Sequence, residues 1–74
     1  MIVKIGKNHL DTKEIAIISG LNTSDPNWEN YTITLKSGKE IKVYEDCHRA
    51  RNRDMDWYIP RKELMSNWLH DYSS

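Results

Sequence analysis

The chain has 74 residues, with 11 Lys and Arg against 11 Asp and Glu, 38% apolar residues and one cysteine. A domain of that size buries only about 60% of the surface its unfolded chain exposes, so a deep substrate cavity has little room, and one cysteine excludes an internal disulfide framework. A formal net charge of zero argues against a general nucleic-acid coat protein. Met1-Ile2-Val3-Lys4-Ile5-Gly6 lacks the long apolar run of a signal peptide, and no stretch approaches the ~18 apolar residues of a membrane span. The expectation is a cytoplasmic protein of one domain over 1–74, with no membrane contact and no cofactor.

In chain order, Val3 and Ile5 alternate with Ile2 and Lys4 in a first short strand, and Gly6-Lys7 supplies a turn before Asn8-His9-Leu10. Asp11-Thr12-Lys13 is a second turn. Ile15-Ala16-Ile17-Ile18 is a continuous apolar run, and its shortness predicts a strand buried on both faces. Gly20 closes it, and Asn22-Thr23-Ser24-Asp25-Pro26-Asn27 reads as a loop.

Tyr31, Ile33 and Leu35 alternate with Thr32, Thr34 and Lys36, while Ile41 and Val43 alternate with Glu40, Lys42 and Tyr44. A two-residue Ser37-Gly38 loop would set Ile33 against Lys42 and Leu35 against Glu40, mixing apolar and charged residues on one face. A three-residue loop of Lys36-Ser37-Gly38, with Gly38 in the left-handed conformation, instead sets Ile33 against Ile41 and Tyr31 against Val43. The second register is the one predicted.

The charged connection 46–58 is too long for so small a domain unless it holds a helical turn, which Ala50 and Met55 can anchor, or serves a function. Beyond it Pro60 suits the first turn of a helix, and Leu64, Met65, Trp68, Leu69 and Tyr72 recur at helical spacing. A helix over about 60–72 should therefore lie across the sheet. The fold class is α+β: a small antiparallel meander of four or five short strands within 1–45, packed on one C-terminal helix.

Averaging conceals an uneven charge distribution. Glu14 to Asn30 carries the acids Glu14, Asp25 and Glu29 and no Lys or Arg, whereas all four arginines fall between Arg49 and Lys62. Arg49-Ala50-Arg51-Asn52-Arg53 presents guanidinium forks suited to phosphate or carboxylate, and Trp57 and Tyr58 follow closely, as stacking on a base requires. The bland alternative is a solvated loop whose arginines pair with Asp46, Asp54 and Asp56 while Trp57 plugs the core. Trp28 stands among turn residues and acids where no periodicity demands an apolar side chain, which makes it either an interface anchor or a cap on the open end of the core.

Asp46-Cys47-His48 places an acid, a thiol and an imidazole in succession, but adjacent residues seldom face one another as a catalytic pair must. His9, Cys47, His48 and His70 show none of the spacings that structural zinc requires. In size, basic–aromatic clustering and lack of a catalytic motif, the chain resembles the short proteins that phages and mobile elements encode. That resemblance implies an accessory or inhibitory binding protein.

The leading expectation is a non-enzymatic binding module in which Arg49, Arg51, Arg53, Trp57, Tyr58 and Arg61 recognise an anionic ligand, a nucleic acid or a nucleotide. The alternative is a phage-type accessory or inhibitory protein that docks on a host or viral protein through Trp28, Asp25 and Glu29. A third reading is a thiol-dependent enzyme using Cys47 and His48. Edge strands offer a route to a homodimer.

Overall fold

The structure is a computed structural model that describes residues 1–73, without the side chains of Tyr72 and Ser73. Strand β1 (Ile2–Ile5) pairs antiparallel with β2 (Asn8–Asp11), Ile5 opposite Asn8, so Gly6-Lys7 is a two-residue loop. Gly6 has φ 64° and Lys7 a negative φ, the pattern of a type II′ turn. This turn presses on a later segment. A Cβ at Gly6 would overlap the Asp56 carbonyl oxygen, to which the Lys7 N–H donates at 2.9 Å.

Asp11 ends β2 by turning the chain: its carboxylate accepts the Lys13 N–H at 3.0 Å and caps a 3-10 turn over Thr12–Glu14. That turn interrupts the meander. The five strands therefore form two antiparallel sheets, β1–β2 and a three-stranded sheet in the order β3–β4–β5, with β3 at Ile15–Ile18, β4 at Asn30–Leu35 and β5 at Glu40–Tyr44. Among the described residues no helix is long and apolar enough to cross a membrane.

One expectation for β3 needs correction. It is an edge strand whose register shifts between Ile15 and Ile17, and Ile17 is 58% exposed, so the run is not buried on both faces. With β4 as its one strand neighbour, the bulge turns Ala16 and Ile17 outward while Ile15 and Ile18 stay in the core. The β4–β5 hairpin matches the sequence reading residue for residue: Tyr31 faces Val43 and Ile33 faces Ile41. Gly38 has φ 94° and donates its N–H to the Leu35 carbonyl at 2.9 Å, closing the three-residue loop.

The charged connection contains helix α1 (Cys47–Asn52). Asp46 caps it by accepting the Arg49 N–H at 2.9 Å. At its other end the Met55 N–H donates to the Ala50 carbonyl at 2.9 Å and the Asp54 N–H to the Arg51 carbonyl at 3.1 Å, with Asp54 at φ 59°. These are the two bonds of a Schellman motif, with aspartate where glycine is usual. The Asp54 carboxylate also pairs with the Lys7 ammonium, and that hydrogen bond holds the Lys7 pKa above its ordinary value.

The chain then returns beside β5. Tyr44 donates its N–H to the Trp57 carbonyl and accepts the Ile59 N–H, both at 3.1 Å, so Tyr44 and Tyr58 form a parallel bridge. The Tyr31 hydroxyl donates to the Ile59 carbonyl at 2.6 Å; burial and, secondarily, the Glu45 charge raise its pKa far above the phenol range, keeping it a neutral donor. Ile59 itself joins the core.

Helix α2 runs over Arg61–Ser73. Pro60 stands just before it and accepts the Leu64 N–H through its carbonyl at 3.1 Å, so it occupies the cap rather than the first turn. Glu45 accepts the Arg61 N–H, satisfying a donor at the helix start. Leu64 is fully buried, and Met65 and Trp68 pack partly buried against the core. Leu69 departs from the predicted stripe, at 53% exposed, and the Tyr72 side chain lies outside the described residues. Burying one such leucine or isoleucine contributes about 1.5–3 kcal/mol, so this cluster carries the fold.

Candidate functional site

Helix α1 redistributes the arginines. In an extended loop Arg49, Arg51 and Arg53 would share a face; at about 100° per residue on a helix, Arg49 and the capping Arg53 share one side and Arg51 points away. The arginine loop of the sequence reading is therefore a short helix with two different sides.

Trp28 reaches the first side from a long connection. Asn22 and Asn30 pair through both backbone bonds, at 2.6 and 3.2 Å, and close the loop between them. Inside it the Asn22 carboxamide accepts the Ser24 N–H at 3.0 Å and the Asp25 carboxylate accepts the Asn27 N–H at 3.1 Å. Trp28 donates its own N–H to the Asp25 carbonyl at 3.0 Å, and its carbonyl accepts the Asn30 side chain at 2.8 Å. The tryptophan backbone is thus pinned from both directions.

The half-exposed Trp28 ring meets Tyr44 edge-on, with centroids 5.5 Å apart and planes at 75°. Arg49 and Arg53 place their guanidinium carbons 5.9 and 5.7 Å from the Trp28 centroid, and the Lys42 ammonium lies 5.6 Å from that of Tyr44. A groove of about 450 Å³ runs here, lined among others by Asn22, Asp25, Trp28, Lys42, Tyr44 and Arg53. Two surfaces expected to be separate, the arginines and Trp28, are one cluster.

That changes the electrostatics assigned to Trp28. Its ring lies beside the Arg49 and Arg53 guanidiniums, and of the three acids Glu14, Asp25 and Glu29 it is Asp25 that lines its groove. Glu14 sits at the opposite end of β4, where its carbonyl accepts the Lys36 N–H. Asp25 shapes the loop, and the half-buried Glu29 accepts the Glu45 N–H through its carbonyl at 2.9 Å. Arg49 is 3.7 Å from Asp46, while among the described residues neither Arg51 nor Arg53 has an ion-pair partner and Asp54 is taken by Lys7.

No family model, curated protein or solved structure matches the chain. Its site is accordingly read from its own geometry.

Three predicted site residues stand apart from the Trp28 cluster. Trp57 packs against the core, Tyr58 bridges to Tyr44, and Arg61 donates through Nε to the Ser19 carbonyl at 2.6 Å, tying α2 to the end of β3. Lys42 and Tyr44 were not anticipated as site residues. The hairpin register contained the signal, since it puts both on the face opposite Ile41 and Val43.

Among the described residues no hydrogen bond joins Cys47 to His48: the thiol donates to the Glu45 carbonyl at 3.8 Å. Burial pushes the Cys47 thiol up, with the Glu63, Glu45 and Asp46 carboxylates adding to the shift, so it is a neutral and poor nucleophile near pH 7. His48 is exposed and lies 3.4 Å from the Asn52 side chain. Among the described residues no group of three His, Cys, Asp or Glu can hold a metal ion.

The cluster around Trp28 is suited to a ligand that is both planar and anionic. Exposed cation–π contacts are worth only about 0.5–1 kcal/mol, so a guanidinium can leave the ring for a phosphate at little cost. Stacking of one base on an aromatic ring contributes about 1–3 kcal/mol.

Proposed function

We propose that the protein is a non-enzymatic binding module for an anionic ligand carrying a planar base, a nucleic acid or a nucleotide, held at Trp28, Tyr44, Lys42, Arg49 and Arg53. The observation that carries this reading is the pair of guanidiniums over one half-exposed tryptophan, at 5.9 and 5.7 Å. The ring supplies a stacking surface, Lys42 and Arg53 supply phosphate donors in the groove it lines, and Arg49 stands beside the ring. The test is anisotropy of labelled single strands and a nucleotide panel at low salt, with Arg49 and Arg53 both replaced by alanine. Binding should be lost in the double variant, its melting temperature should stay within a few degrees of wild type, and added salt should weaken the nucleic-acid complex steeply. No binding by any ligand at low salt would refute the proposal.

The second reading, an accessory or inhibitory protein docking on a host or viral protein, draws on the same half-exposed Trp28 held by a pinned backbone. The cations now beside that ring fit an acidic partner rather than a basic one. Partner capture that survives nuclease and is lost in Trp28→Ala would favour it.

A further inference from the structure

Arg49 and Arg53 stand by the Trp28 ring, Arg53 lining its groove, and Arg51 is left aside. Two residues from each, Arg51 projects from the opposite side of α1. A second groove of about 320 Å³ opens there, lined among others by Lys4, Arg51, Tyr58 and Glu63. Lys4 alternates with the buried Val3 and Ile5 and therefore stands on the outer side of β1. Neither Lys4 nor Arg51 has an ion-pair partner among the described residues. Of the two bridged tyrosines, Tyr44 lines the first groove and Tyr58 the second.

Both grooves thus combine aromatic and cationic groups, and α1, about 10 Å across, lies between them. A mononucleotide can occupy only one. Resting on the reading of the Trp28 groove given above, we infer that the ligand is a single strand of nucleic acid that crosses α1, with one base at Trp28 and Tyr44 and the following backbone at Arg51 and Lys4. Duplex is excluded by the same geometry, because its paired bases leave no free face for Trp28 to stack on. Glu63 is the one acid lining the second groove, and it opposes an incoming phosphate.

The experiment compares a mononucleotide with a single strand of about ten nucleotides, on wild type, the Lys4→Ala/Arg51→Ala double variant and Glu63→Gln. The strand should bind wild type more tightly than the mononucleotide. The double variant should lose about tenfold for the strand, with a salt slope shallower by roughly 0.7 per phosphate released, and nothing for the mononucleotide. Glu63→Gln should tighten the strand alone. Lys4, Arg51 and Glu63 are exposed, so all variants should melt near wild type. Equal affinity for the two ligands, with neither variant altering it, would overturn the inference while leaving the Trp28 groove standing. Failure of both ligands to bind wild type would remove the groove and the inference together.

Discussion

Replacing Gly6 by alanine probes how the N-terminal hairpin is held. Two costs combine at this position. A side chain at φ 64° sits in the left-handed region, which is worth about 1–2 kcal/mol against a residue with Cβ. The new methyl would also overlap the Asp56 carbonyl and come within 2.9 Å of the Tyr58 nitrogen, backbone atoms that cannot swing aside. Relief requires lifting the turn away, which forfeits the Lys7 to Asp56 bond, a further ~0.5–1.5 kcal/mol. The sum is about 1.5–3.5 kcal/mol, from a total of roughly 4–11 kcal/mol for a chain this long. In thermal unfolding followed by circular dichroism, that corresponds to a fall of roughly 6–28 °C. Gly38→Ala and Gly20→Ala separate the two costs. Nothing lies within 4 Å of a Cβ at either, so Gly38, at φ 94°, should show strain alone, ~1 kcal/mol, and Gly20 almost nothing. If Gly6→Ala melts no lower than Gly38→Ala, the turn does not press on Asp56 and the packing argument fails.

Leu64→Ala should cost about 2–5 kcal/mol by urea unfolding, whereas Leu69→Ala, 53% exposed, should stay within ~0.5 kcal/mol; equal losses would mean that the helix is rotated from the position described. Asp71 accepts the Thr12 hydroxyl at 2.8 Å and the Met1 amine at 3.3 Å, and the Thr12 bond is the main reason its pKa is lowered. A carboxylate depressed on folding contributes stability above its unfolded value near pH 4 and loses it as pH falls through the folded one. Asp71→Asn should therefore lower the urea midpoint at pH 7, and the gap should close below about pH 4; a gap constant down to strongly acid pH would show that the carboxylate charge contributes nothing.

The hairpin register was readable because period-two alternation on both strands and one glycine admit a single pairing that keeps Ile33, Ile41, Tyr31 and Val43 together. Helix α1 was announced only in part: Asp46 is a good capping residue, but Asp54 takes the left-handed position that glycine usually marks, so the stop signal was missing. The arginines stood out in the sequence as a group. Which of them act together depended on whether the backbone there has a period of two or of 3.6. The exposure of Ile17 follows from a bulge and an open strand edge, which a run of apolar residues cannot reveal. Trp28 was visible as an anomaly, while its neighbours Tyr44, Arg49 and Arg53 lie far along the chain and meet it only in three dimensions.

The bridge between Tyr44 and Tyr58 also sets an order of assembly. Antiparallel neighbours joined by two- or three-residue loops can zip locally, as β1–β2 and β4–β5 do. Parallel neighbours cannot: residues 45–57 must first be wound into a crossover, and the loop-closure entropy of that excursion is met before the bridge returns anything. Since Arg49, Arg51 and Arg53 all ride on the crossover, the expected order completes the groove after the hairpins and lets it open more readily than they do. Native-state hydrogen exchange should find the amides of Ala50 and Arg53 opening at lower free energy than those of Ile33 and Val43. A ligand spanning α1 would act as a clasp on this last-formed piece, and its affinity would be read directly as slower exchange there.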